Sequence, residues 1–97
     1  MAYKLIILNG AYNDLDDAIA WYCQFSKTLC VDLLLKFENA LQQVVESPLQ
    51  HQLQKGNYRK INLKRFPYKV VYKVSDKEIL IVAFAHQKRR QHYWRNR

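Results

Sequence analysis

Apolar and polar positions alternate along this chain with two different periods. Residues 3–8, Tyr-Lys-Leu-Ile-Ile-Leu, form a short apolar run closed by Asn9-Gly10, which predicts a strand and a turn. Asn13 can then cap a helix that opens with Asp14, Asp16 and Asp17, acids suited to the positive end of a helix dipole. Leu15, Ala18, Ile19, Tyr22 and Phe25 follow at three- and four-residue spacing and give that helix one apolar face. After Ser26-Lys27-Thr28 a second helical pattern carries Cys30, Leu33, Leu34, Phe37, Leu41, Val44 and Val45, and stops before Ser47-Pro48. The two helices are expected to form a hairpin.

Residues 49–57 show neither period and contain Gly56, so the pattern predicts a loop. From Tyr58 the period becomes two: Ile61 and Leu63 alternate with Lys60, Asn62 and Lys64, and after Phe66-Pro67 come Tyr68, Val70, Tyr72 and Val74. Ser75-Asp76-Lys77 makes a tight connection into Glu78 to His86, apolar on both faces as in a central strand covered from both sides. The order β, α, α, β, β, β predicts an α+β fold: an N-terminal strand, a two-helix hairpin packed on one sheet face, an antiparallel three-stranded meander and a basic tail. At 97 residues, with no linker or internal repeat, the chain is expected to form a single domain over 1–97. The pattern leaves the conformation of residues 87–97 open.

Composition adds a charge asymmetry. The net charge is +8, but residues 1–48 carry −3 and residues 49–97 carry +11. Such a division marks a surface that meets a polyanion or an acidic protein, although a solvated basic face that only aids solubility would look the same. Cys23 and Cys30 lack the spacing of a zinc or thioredoxin-type site and are expected to be reduced core thiols. No apolar run reaches the length of a membrane span, and no signal layout opens the chain, so a cytoplasmic protein without membrane contact is expected.

The basic half interleaves cations with rings. Lys60, Lys64, Arg65, Lys69, Lys73, Arg89 and Arg90 stand among Tyr58, Tyr68, Tyr72, Tyr93 and Trp94, a mixture that neutralises phosphate and stacks on bases and that suits RNA better than duplex DNA. The alternative is that the tyrosines serve strand propensity and the lysines guard sheet edges. His86, at the end of the last strand, has a side chain suited to proton exchange with a ribose hydroxyl, though a histidine there is commonly a hydrogen-bonded structural residue. No metal-ligand spacing occurs, so phosphodiester chemistry would run without a metal or other cofactor.

These residues also form a known pattern. Leu63-Lys64-Arg65-Phe66-Pro67-Tyr68-Lys69-Val70-Val71-Tyr72, then Ile79 to His86, then Arg89-Arg90 and Tyr93-Trp94, following a strand and a helical hairpin, resemble the RelE/ParE superfamily of bacterial toxins over essentially the whole chain. The resemblance implies a toxin of a type II toxin-antitoxin pair, held by the acidic C-terminal segment of a cognate antitoxin. RelE-like members cleave messenger RNA on the ribosome without metal; ParE-like members poison DNA gyrase. The RelE-like branch is the expected one, with the gyrase inhibitor as the alternative. On the RelE-like reading Arg65 and Arg89 stabilise phosphate charge, His86 or Tyr93 transfers protons, and Lys60, Lys64, Lys69 and Arg90 hold the RNA backbone. The chain has Gln91 where its relatives often have Pro, which bears on the direction of the tail.

Overall fold

The computed structural model describes residues 3–88, 93, 94 and 97, with only the backbone of residue 55. The elements are β1 (Lys4–Ile7), α1 (Asn9–Cys23), α2 (Lys27–Glu46), β2 (Gln52–Lys55), β3 (Tyr58–Asn62), β4 (Tyr68–Ser75) and β5 (Glu78–His86). They build one five-stranded sheet in the order β1-β5-β4-β3-β2. Here β1 runs parallel to β5 and every other neighbour is antiparallel.

The α+β class, the N-terminal strand, the hairpin and the last three strands follow the sequence pattern, with two differences. The meander has four strands, because Gln52 and Leu53 pair with Lys60 and Arg59 inside the segment expected to be a loop. Its polar Gln-Leu-Gln-Lys sequence has no buried face to impose a period. Helix α1 also starts five residues early, at Asn9, behind Leu8 in extended conformation. Asn13 therefore caps nothing, and the three aspartates lie within the helix. Helix α2 starts at Lys27, inside the Ser26-Lys27-Thr28 stretch expected to precede it, and ends before Ser47-Pro48 as expected; the Ser26 hydroxyl accepts the Leu29 N–H at 3.2 Å, satisfying one of the free donors of the first turn.

The principal core lies between the hairpin and the sheet. Leu15, Leu33, Phe37 and Val44 from the helices meet Val70, Tyr72, Ile79, Ile81 and Phe84 from β4 and β5. Phe37 and Phe84 meet edge to face, with centroids 5.3 Å apart. Phe25, expected on the apolar face, is 66% exposed, and Leu34 and Val45 are also exposed. The buried positions of α2 are Cys30, Leu33, Phe37, Ala40 and Val44, a narrower stripe than the sequence suggested.

A second, smaller core fills the opposite sheet face, where Val71, Val82, Ala83 and Ala85 pack under Trp94 of the tail. The pairing of β4 with β5 shifts register between Val71 and Tyr72, the mark of a bulge, and Val82 and Ala83 consequently serve the same face in succession. The tail is fastened by Asp14 of α1. Its carboxylate accepts from the Phe84 N–H at 3.1 Å, the Tyr93 hydroxyl at 2.9 Å and an Arg97 guanidinium nitrogen at 2.8 Å, and the same nitrogen donates to the Val82 carbonyl at 3.2 Å. Gly10 leaves room for that guanidinium: a Cβ there would stand 2.5 Å from it.

The cysteines correct an expectation. Cys23, the last residue of α1, and Cys30, in the first turns of α2, are joined in a disulfide, with Cα atoms 5.1 Å apart. Cys30 is buried as expected, whereas Cys23 is exposed.

Candidate functional site

Arg65 sits in the sharp loop between β3 and β4. The Leu63 N–H donates to the Tyr68 carbonyl at 2.9 Å, closing the loop, and the Tyr68 N–H donates to the Phe66 carbonyl at 2.8 Å. Inside it Arg65 takes φ 75°, a left-handed conformation that a side chain rarely adopts. The strained backbone turns Phe66 inward, 5% exposed and edge-on to Tyr22 at 5.1 Å, and sends the Arg65 guanidinium to the Asp32 carboxylate on α2. The Lys36 ammonium, 2.9 Å from Asp32, holds the Asp32 carboxyl below its ordinary range, aided by Arg65 and opposed by partial burial. Arg65 with Lys27, Thr28, Val31, Asp32 and Leu35 borders a groove of about 520 Å³ on the outside of the hairpin.

His86 closes β5 on the helix side of the sheet. Its ring lies edge-on to Tyr68 at 5.2 Å, and its Nδ1 accepts the Lys88 N–H at 3.1 Å, which leaves Nε2 to carry the proton of the neutral ring. It is half-buried. The cleft it borders, about 250 Å³, is walled by Asp14, Asp17, Trp21, Tyr68 and Phe84. Two carboxylates make this cleft a poor place for a phosphate.

The lysines divide among three settings. Lys64 is exposed and borders a polar groove of about 460 Å³ with Lys36, Asn39, Gln43 and Asn62. Lys60, half-buried, pairs with Val71 across β3 and β4, on the sheet face away from the hairpin. Lys69 shares that face but is only 4% exposed: its ammonium lies 5.4 Å from the centre of the Trp94 ring and donates to Gln54 Oε1 at 3.4 Å. Burial, and then the charge of Lys60, push its pKa down. Lys73 lies over the Tyr58 ring at 5.7 Å on the same side. The second face is therefore only half the basic surface the charge count suggested. Its β5 side is apolar and covered, and its lysines stand on β3 and β4.

Of the expected catalytic residues, Arg65 and His86 both lie on the hairpin side but border different grooves, and the Tyr93 hydroxyl donates to Asp14. Arg89 and Arg90 lie outside the described residues. Sequence reasoning missed Asp14, read as a dipole-complementing acid, and Asp32, the partner of Arg65; both are single acids at helix positions, with no local signal of their distant partners. Among the described residues, no three His, Cys, Asp or Glu side chains are grouped to hold a metal ion, and no helix is long and apolar enough to cross a membrane. The outer surface of the hairpin is apolar instead: Trp21, Phe25, Val31 and Leu35 are all more than half exposed.

Three solved structures share this fold. A chain of the chromosomal ParDE toxin-antitoxin system from P. aeruginosa superposes with a TM-score of 0.78 at 18% identity, over 88% of this chain and 96% of that one. A mutant of the E. coli toxin RelE in the free state gives 0.63 at 22% identity, over 91% and 86%. The same mutant in complex with an antitoxin RelBc peptide gives 0.56 at 22%, over 87% and 82%. No curated protein sequence matches the chain. The profile of the family described as ParE toxin of type II toxin-antitoxin system, parDE, matches residues 5–91. With almost the whole chain inside that match, and with the strand, hairpin and meander arranged as in both ParDE and RelE, the chain belongs to the ParE toxin family of type II toxin-antitoxin systems, within the RelE/ParE superfamily.

Proposed function

We propose that this toxin acts by binding, as a ParE-like inhibitor of DNA gyrase, and not by cutting messenger RNA. The supporting observation is the dispersal of the groups that a nuclease would need together. A metal-free ribonuclease needs a base, an acid and cations around one phosphate. Here Arg65 is ion-paired to Asp32, His86 faces a cleft with two carboxylates, and the Tyr93 hydroxyl and the Lys69 ammonium are engaged by Asp14 and Trp94. A binding toxin needs none of that convergence. It needs an exposed surface with charge and apolar anchors, such as the hairpin with Arg65, Trp21, Phe25, Val31 and Leu35. The match to the ParE family supports the same branch.

The partner that restrains the toxin is a cognate antitoxin. An acidic, amphipathic antitoxin segment would complement the +11 half of the chain. The test is induced expression in bacteria with thymidine and amino-acid incorporation followed in parallel, beside Arg65→Ala and His86→Ala. A prompt stop in DNA synthesis with filamentous cells, relieved by Arg65→Ala and insensitive to His86→Ala, is expected. A primary stop in protein synthesis relieved by His86→Ala would overturn the proposal and restore the ribonuclease.

A further inference from the structure

The bond between Cys23 and Cys30 lies at the tip of the hairpin. It joins the last residue of α1 to the first turns of α2 across the short connection Gln24 to Ser26. Two features suit it to opening and closing without loss of the fold. The Cα separation of 5.1 Å lies within the span a disulfide bridges without moving backbone, so either state is compatible with the packed hairpin. The connection also has its own local fastening, since the Ser26 N–H donates to the Tyr22 carbonyl at 3.0 Å and the Ser26 hydroxyl caps α2.

The two sulfurs are not equivalent. Cys23 is exposed and open to an attacking thiolate, while Cys30 is 7% exposed. Cys30 stands in the first turns of α2 with its Sγ 3.3 Å from the Lys27 carbonyl oxygen, an acceptor for its S–H once the bond has opened. Around this bond lie Trp21 and Phe25, ring centroids 5.3 Å apart, and Val31, three of the most exposed apolar side chains. A disulfide in a protein of a reducing compartment is commonly transient or redox-sensing, whereas a structural one belongs to oxidising surroundings.

We propose that Cys23–Cys30 is a redox modification site that sets the order of the apolar hairpin tip. A dithiol reductant attacks the Cys23 sulfur; the S–S bond breaks, a mixed disulfide forms at Cys23, and the Cys30 thiolate leaves and takes up a proton. The second thiol of the reductant then displaces Cys23, which also ends as a thiol, and the reductant becomes a disulfide. Two electrons and two protons pass to the protein. The end of α1 is then no longer tied to α2, and Trp21, Phe25 and Val31 lose their fixed spacing.

The test uses the purified full chain, treated with diamide or with dithiothreitol, and reads maleimide uptake by mass and amide hydrogen exchange by segment. The oxidised chain should take up no maleimide and the reduced, denatured chain two. Exchange at residues 20–31 should rise about tenfold on reduction, below the roughly 60-fold expected if closing a loop of this length acted in full. Exchange at residues 79–85 should not change. Cys23→Ser, at an exposed position, should exchange like the reduced chain whatever the treatment. Two maleimides on the diamide-treated chain would overturn the proposal. So would a bond that forms but leaves exchange at residues 20–31 the same in both states.

Discussion

Replacing Asp14 by alanine removes the acceptor shared by three donors, two of them in the tail. The Asp14 side chain is 7% exposed, and the residue whose N–H it receives, Phe84, is 2% exposed, so no water readily replaces the carboxylate there. Leaving that N–H unsatisfied costs about 1–3 kcal/mol. Arg97, with its side chain 26% exposed, and the Tyr93 hydroxyl can partly turn to solvent, and their losses are about 0.5–1 kcal/mol each. The expected destabilisation is about 2–5 kcal/mol, or roughly 10–25 °C in Tm for a domain of this size. Urea unfolding with an unchanged m-value would measure it. Asp14→Asn keeps an oxygen for the Phe84 N–H and should recover about half of the loss. Arg97→Gln should cost less than Asp14→Ala, and the double variant should show a coupling of about 1 kcal/mol. A loss below about 0.5 kcal/mol for Asp14→Ala would refute the reasoning, because the Asp14 carboxylate would then not be what fastens the tail.

Tyr72 donates to the Pro48 carbonyl at 2.7 Å, and burial pushes its phenol up to about 12 from 10.0. The stability this raised pKa confers is complete below pH 10.0 and is lost as pH rises toward 12, so alkaline titration of unfolding should decline there. Tyr72→Phe should cost about 1 kcal/mol at neutral pH and flatten that decline. At the acid end, Asp32 is held below its ordinary 3.8, chiefly by Lys36 and then by Arg65, so its contribution is present above that pH and lost as pH falls through the lowered value. Asp32→Asn should make the acid limb of stability shallower, read by circular dichroism between pH 5 and pH 2.

The elements with a buried face were the legible ones. β5 and the end of α2 followed from period and proline, because in each the core imposes the pattern that the sequence displays. β2 was not legible: an edge strand of Gln-Leu-Gln-Lys makes backbone bonds that any side chains allow. The start of α1 was misjudged because Asn9-Gly10 resembles a turn, whereas Ala11 is fully buried and the helix must reach it. Within the site, the family resemblance pointed to Arg65 and His86, but Asp32, the partner of Arg65, lies 33 residues from it, and Asp14 lies at least 70 residues from the groups it binds. No local pattern encodes such pairings. Lys69 shows the same limit, since alternation placed it on the second face and only the returning tail buries it.

The position of β5 between β1 and β4 also orders the birth of the molecule. β1 waits for a parallel neighbour whose first paired residue, Glu78, follows Lys4 by 74 positions. At ribosomal rates of about 5–20 residues per second that wait is roughly 4–15 s. Through it the hairpin can form, since helices close in microseconds, but its inward stripe has no sheet to lie on. The sheet that covers the inner stripe is thus completed only once β5 has been made, after an interval in which the nascent hairpin presents both its inner and its outer apolar faces to whatever protein is being made beside it.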